Sequence, residues 1–187
     1  MEYVDYSPVD MVIVDIDGTL ADPSMRYPQL KKDGDVKAFH NAFRNDLPTR
    51  HAPHIWRFIE RLPSSYELFI VSLRYEELMM PTIGWLAKNI SGKFKNYLSK
   101  HGPDPKHTFI MGTKDCDKGN PLRARVRQVR ECFLIRSEMA EAQGRPDGDA
   151  IMFEDDPHNA YAISMEFKSD IVIFQPYHAN DTCLIGS

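Results

Sequence analysis

This 187-residue sequence predicts an α/β fold, a parallel sheet between two layers of helices. Three observations carry the prediction. Short apolar runs at residues 11–14, 67–72, 108–111, 150–153 and 171–174 are separated by helical patterns, the alternation that builds βαβ units. Most of these runs are continuous rather than alternating in polarity, as in strands covered on both faces. The first run leads directly into Asp15-Ile16-Asp17-Gly18-Thr19. Two carboxylates therefore arrive at a strand's C-terminal end, the edge where open α/β sheets bind ligands.

Residues 11–14 form the first strand, and Gly18 permits a sharp turn after it. Residues 21–34 contain Pro23, Pro28 and Lys31-Lys32-Asp33-Gly34, a loop over the catalytic edge. Val36, Phe39 and Phe43, then Ile55, Phe58, Ile59 and Leu62, recur at helical spacing and predict two short helices. Residues 67–72 give the second strand. A helix over 76–90 follows, started or kinked by Pro81. Residues 108–111 give the third strand. Asn120-Pro121 reads as an N-cap with proline at the first helical position, opening a helix to about residue 142 with an apolar stripe of Leu122, Val126, Val129 and Phe133. A Gly/Pro loop, the strand 150–153, a helix over 157–167 and the strand 171–174 complete the pattern, and the segment from Gln175 is expected to fray. The length suits a single domain over residues 1–187, with residues 22–63 as a loop and helical insertion near the catalytic edge.

A net charge of -4 and a pI near 6.0 exclude attachment to nucleic acid or anionic membrane by bulk charge. The charge is uneven, however: residues 88–130 hold eleven Lys/Arg against three Asp/Glu, leaving twelve against twenty-four elsewhere. That stretch is either a phosphate-attracting face or a solvated helix surface. Cys116, Cys132 and Cys183 show no paired metal or redox spacing and read as free thiols of a reducing cytoplasm. With no secretory N-terminus and no run of about 18 apolar residues, a soluble cytoplasmic protein without a membrane partner is expected. A GxxxxGK[ST] loop and a GxGxxG turn after a strand are both absent, which argues against a P-loop kinase half and against dinucleotide binding. His51 and His54 have a possible metal spacing but no partner pair, and Trp56 and Trp85 sit in apolar helical patterns as core or rim residues.

The chemistry follows from the acids. One carboxylate can attack phosphorus while a second gives a proton to the leaving group and later activates water. Two anions facing a phosphate need a cation, and magnesium, a hard ion that takes carboxylates, carbonyls and phosphate oxygens, fits. Glu154-Asp155-Asp156, at the end of the strand 150–153, offers the remaining ligand. An acidic pair there also suits capping of the following helix.

With these motifs in this order, the chain resembles the haloacid dehalogenase (HAD) superfamily of phosphotransferases, which has a three-layer Rossmann-like core. The resemblance implies Asp15 as nucleophile, Asp17 as general acid/base, and magnesium held by Asp15, the Asp17 carbonyl and an acid of Asp155-Asp156. It also implies Ser72 as the hydroxyl that binds the phosphoryl group and Thr19 as a substrate-side residue. Over about residues 10–175 the chain is similar, more narrowly, to the 3′-phosphatase domain of phage-type polynucleotide kinase-phosphatases. Arg26, eleven positions after Asp15, the run Ile70-Val71-Ser72-Leu73-Arg74, and Asp155-Asp156 carry that similarity, which implies that Arg26 and Arg74 are substrate-phosphate or active-site arginines. The superfamily's basic residue near the start of the helix before the last acidic motif matches Arg123, with Lys118 as competitor. Arg130 lies about 10 Å further along the axis. Arg123, Arg127 and Arg130 share one face beside the apolar stripe.

Neither gap between motifs has room for a large lid, so a minimal cap or none is expected, and an uncovered site suits a bulky substrate. The implied activity is a magnesium-dependent phosphomonoesterase acting on nucleic-acid 3′ ends. A 5′(3′)-deoxynucleotide monophosphatase is the alternative within enzymes. A non-catalytic nucleic-acid or partner-binding protein on the same scaffold is the alternative of another class, though a binding module has no use for four acids at one strand edge.

Overall fold

The structure, a computed structural model, describes residues 9–28, 36–63, 65–91, 94, 108–112 and 120–176. In chain order the elements are β1 (Val9–Asp15), β2 (Ala21–Asp22), α1 (Val36–Asn41), β3 (Leu47–Pro48), α2 (Ala52–Ile59), β4 (Glu67–Tyr75), α3 (Met79–Asn89), β5 (Phe109–Gly112), α4 (Pro121–Ala142), β6 (Asp149–Phe153), α5 (Pro157–Phe167) and β7 (Ile171–Phe174). The apolar runs pair in parallel as a five-stranded sheet in the order β5-β4-β1-β6-β7. The first run of the chain is thus the central strand, with Asp15 in register with Val71 and Val14 with Phe153.

Alternate residues of β1 supply the two cores, as strand geometry requires. Val12 and Val14 face Leu68, Ile70, Ile55, Trp56, Ile59 and Leu86 on one side. Met11 and Ile13 face Phe69, Val71, Met152, Val129, Cys132 and Ile163 on the other. Trp56 and Trp85 are both buried, as the apolar patterns require. Cys132 is a buried free cysteine; Cys116 and Cys183, like the expected fraying beyond residue 176, lie outside the described residues. Among the described residues no helix is long and apolar enough to cross a membrane.

The structure departs from the sequence pattern in three places. β4 runs to Tyr75, three residues further than its apolar run, which puts Arg74 inside the strand. The stretch expected to be a loop pairs Ala21 with Pro48 and Asp22 with Leu47 in an antiparallel ribbon; two-residue strands are too short to show a period. In α4, Val129 of the predicted stripe is buried and Val126 and Phe133 pack against the same core, but Leu122 is 37% exposed and the buried face also takes in Ala124, Arg125, Gln128, Cys132, Arg136 and Ala140. Polar side chains can occupy that face because they are partnered. Gln128 Nε2 donates to the Ser72 carbonyl at 2.7 Å and the Ile110 carbonyl at 3.0 Å, and Arg136 pairs with Asp10 of β1.

Phe69 is fully buried at the centre of the second core. Phe69→Ala is expected to lower unfolding free energy by about 3–5 kcal/mol, the usual cost of emptying an aromatic core site, read as a shifted urea midpoint. A loss below about 1 kcal/mol would mean that this core is not packed as described.

Candidate active site

The site begins where β1 ends. Asp15 is the last strand residue and fully buried. The chain then turns through Gly18 at φ +99°, with the Gly18 amide donating to the Ala21 carbonyl at 2.7 Å and the Ala21 amide to Ile16 at 2.8 Å. A Cβ on Gly18 would lie 2.0 Å from Asp155 Oδ2. Glycine is therefore needed twice, for the left-handed backbone and for the approach of Asp155.

Parallel pairing of β1 with β6 brings the next acids to Asp15. Oxygens of Asp15, Glu154 and Asp155 lie within 4.8 Å of one another. Burial pushes the Asp15 carboxyl well above the ordinary range; Arg125 opposes the shift, and the Glu154 and Asp155 charges add to it. Arg125, buried on the inner face of α4, donates to Asp15 Oδ1, holds its Nε 3.2 Å from Glu154 Oε2 and donates to Gln128 Oε1 at 3.2 Å. Burial alone would lower the Arg125 guanidinium, but Asp15 and Glu154 outweigh it and raise it. Asp15 Oδ2 remains buried without a hydrogen-bond partner, and Glu154 Oε2 has only the ion-pair contact with Arg125 Nε. Three converging carboxylates with that unpartnered oxygen form a donor set that fits a hard divalent cation.

Two sequence expectations are corrected here. The basic residue facing Asp15 is Arg125, not Arg123, which is exposed and whose backbone amide donates to the Asn120 cap. Two positions along a helix are about 200° apart, so the two arginines face nearly opposite ways. Lys118, the competitor, lies outside the described residues. Asp156 does not join the acids; it caps α5, accepting from the His158 amide at 2.8 Å and the Asn159 amide at 3.2 Å. Glu154 takes its place.

Asp17, two residues on, enters a different environment. Arg26 Nη2 lies 2.5 Å from Asp17 Oδ1, and Arg74 reaches Asp17 through Nη2 at 2.6 Å and Nε at 3.0 Å. Both arginines are buried, 2% and 0% exposed, and both also meet Asp46: Arg26 Nε at 2.9 Å and Nη2 at 2.8 Å, Arg74 Nη2 at 3.6 Å. Phe39 stacks under the Arg26 guanidinium at 4.4 Å and Phe43 under Arg74 at 4.3 Å. Burial raises the Asp17 carboxyl, but the charges and hydrogen bonds of Arg74 and Arg26 win and hold it at about 2. Asp46 goes the other way, pushed up to about 6 by burial against the two arginines. The 22–63 insertion thus supplies a wall of the site, through Arg26, Phe39, Phe43 and Asp46. No local pattern in the sequence distinguishes Asp46 from any other loop aspartate.

Ser72 and Thr19 are both buried in this region. The Ser72 hydroxyl accepts from the Arg74 amide at 3.1 Å. The Thr19 hydroxyl donates to Asp155 Oδ1 at 3.1 Å, and its carbonyl accepts from Thr49 at 2.6 Å. His51 and His54 lie at the start of α2, apart from the described acidic cluster.

No family model and no curated protein matches the chain. Among solved structures it is similar, over 95% of its length, to a chain of the Pnkp1/Rnl/Hen1 RNA repair complex, at 14% identity and a TM-score of 0.49. It covers 48% of that chain, and so spans about half the neighbour's length. It is also similar to the HAD domain of the effector protein Lem4 from Legionella pneumophila, at 12% identity and a TM-score of 0.44, covering 89% of this chain and 85% of that one. A haloacid dehalogenase-like hydrolase from Streptococcus pneumoniae matches at 12% identity and a TM-score of 0.41, covering 89% and 94%.

The Asp17 clamp has a definite pH signature. Its folded-state value of about 2 lies below the unfolded carboxylate range, so its stabilisation is present above about pH 4 and is lost as pH falls toward 2. Asp17→Asn is expected to be about 2 kcal/mol less stable than the parent at pH 6 and to converge with it near pH 2, read from urea midpoints across that range. A constant gap at every pH would show that the clamp is not what Asp17 contributes.

Proposed function

We propose that this chain is a magnesium-dependent phosphomonoesterase that works through an aspartyl-phosphate on Asp15 and removes 3′-phosphates from nucleic-acid ends. One observation carries the reading: Asp15 ends the central strand among the acids Glu154 and Asp155 and the cation Arg125, while Asp17, on the same turn, is held by Arg26 and Arg74.

In the first step an Asp15 carboxylate oxygen attacks phosphorus, the ester bond breaks, and the leaving 3′ oxygen takes a proton from Asp17. In the second, Asp17 takes a proton from water as that water attacks the phosphorus of the acyl phosphate, releasing phosphate and restoring the Asp15 carboxylate. For Asp17 to carry a proton, its guanidinium partners must loosen, and an arriving phosphate gives Arg26 and Arg74 another anion to hold. Ser72 would donate a hydrogen bond to a phosphoryl oxygen, and Arg125 takes the place first assigned to Arg123 as the cation beside the nucleophile. Thr19 keeps Asp155 in position. Asp15, the Asp17 carbonyl, Asp155 and Glu154 would hold the magnesium. That ion, when bound, neutralises charge on the phosphoryl group. The absence of paired cysteine motifs suits a cytoplasmic setting.

The test is release of inorganic phosphate with magnesium, from a 3′-phosphorylated oligonucleotide and, separately, from 3′- and 5′-deoxynucleotides. The oligonucleotide is expected to be the better substrate, and Asp15→Asn to fall at least about 10³-fold while remaining folded by circular dichroism. Turnover by Asp15→Asn at the parent rate would remove the nucleophile assignment. Preference for mononucleotides would favour the deoxynucleotide monophosphatase.

A further inference from the structure

Arg26 and Arg74 stand between two aspartates, and the proposed chemistry uses only one of them. Asp17, on the turn after β1, keeps 20% of its side chain exposed, whereas Asp46, just ahead of β3, keeps none. The two cations divide the anions between them. Arg26 grips Asp46 with both arms of its fork, Nε to Oδ1 at 2.9 Å and Nη2 to Oδ2 at 2.8 Å, and reaches Asp17 through Nη2 alone at 2.5 Å. Arg74 does the reverse: its Nε and Nη2 hold Asp17 at 3.0 and 2.6 Å, while Nη2 lies 3.6 Å from Asp46 Oδ2. Two cations and two anions thus close into a ring that is neutral in sum. Outside the ring, Arg26 Nη1 donates to the Phe39 carbonyl at 3.2 Å and Arg74 Nη1 to the Thr82 hydroxyl at 3.3 Å. Asp46 is itself fixed by its backbone, whose amide donates to the Phe43 carbonyl at 3.0 Å and whose carbonyl accepts from Trp85 Nε1 of α3 at 3.1 Å.

Of the two anions, Asp17 is the one a substrate can displace, because it alone meets solvent. Displacement without a second anion would leave two guanidiniums buried and unpaired, which is strongly unfavourable. Phe39 and Phe43 pack on their faces but carry no charge to replace the lost one. We propose that Asp46 is a positioning residue, the fixed counter-anion that keeps Arg26 and Arg74 in place while an incoming phosphate exchanges for Asp17 on their Nη2 atoms; the proposal rests on the phosphatase reading of the site. Fully buried, Asp46 meets no substrate and acts through the two guanidiniums. Arg26, held by both arms, is the one it fixes more firmly.

The test crosses Asp46→Asn with Arg26→Met in the full chain, read by urea midpoint and by phosphate release from the 3′-phosphorylated oligonucleotide. Either change alone leaves the ring with an unbalanced buried charge, so each is expected to lower the midpoint. The double variant restores neutrality through Arg74 and Asp17, and its midpoint is expected to fall no lower than that of the worse single variant. If neither single variant folded, a folded double variant would carry the same conclusion. A double variant that fails to fold, or whose midpoint falls by the sum of the two single effects, would overturn the ring. In phosphate release, Asp46→Asn is expected to cost at least about tenfold in kcat/KM in the parent but less than about threefold where Arg26 is already methionine. A residue that only holds the fold would cost the same factor in both backgrounds, and equal factors would overturn the positioning role. If the parent released no phosphate, the phosphatase reading would fail, while the midpoints would still decide whether Asp46 and Arg26 act as one unit.

Discussion

Gathering three carboxylates within 4.8 Å of one another, two of them buried and the third half-buried, is the constraint on which the rest of this molecule depends. Like charges at that separation, out of water, repel strongly, and nothing in β1 or β6 alone relieves them. Relief comes from α4, which sends Arg125 between Asp15 and Glu154. That requirement explains why the helix turns a polar face toward the sheet: Gln128 both steadies Arg125 and ties α4 to the carbonyls of Ser72 and Ile110. The same crowding leaves Asp15 Oδ2 buried without a hydrogen-bond partner, a deficit that a hard cation is suited to remove.

Two residues further along, the balance reverses. Asp17 meets two arginines where Asp15 meets one, so burial raises Asp15 while the guanidiniums bring Asp17 down to about 2. Two aspartates on one turn thus have opposite proton affinities, and the difference arises from partners delivered by distant parts of the chain. Arg74 comes from the extension of β4, Arg26 and Asp46 from the insertion between β1 and β4, and Arg125 from α4. For Asp15 to attack as a carboxylate and Asp17 to carry a proton, as proposed, both shifts must be offset when substrate and a cation arrive, since burial favours the proton on Asp15 and the two arginines favour the anion on Asp17.

The insertion bears on the site. Among its described residues, Phe39 and Phe43 stack on the arginines that clamp Asp17. These residues therefore form a wall of the site. On the other side of the sheet, α4 separates its arginines by face, one serving the acids and three lining an open groove toward α5.

The strand runs, their order and the Asp15-Ile16-Asp17-Gly18-Thr19 turn were legible in the sequence by itself, because apolar periodicity and glycine's backbone freedom are local properties. So was the convergence of the first strand and the segment at 154–156, since parallel strands place their C-terminal ends on one edge. Which acid joins Asp15 was not legible: Glu154, Asp155 and Asp156 are neighbours in sequence, and only the start of α5 makes Asp156 a cap. Nor was the partner of Asp15, because the apolar pattern says nothing of Arg125, an arginine at the flank of the stripe whose burial depends on Asp15 and Glu154 receiving it. Asp46 had no signal at all; its importance lies in two arginines that the chain brings from 20 and 28 residues away. The sequence determined the frame and the edge where the acids gather, whereas the tertiary structure decided the pairing of charges, since the cost of a buried charge depends on partners that no local window contains.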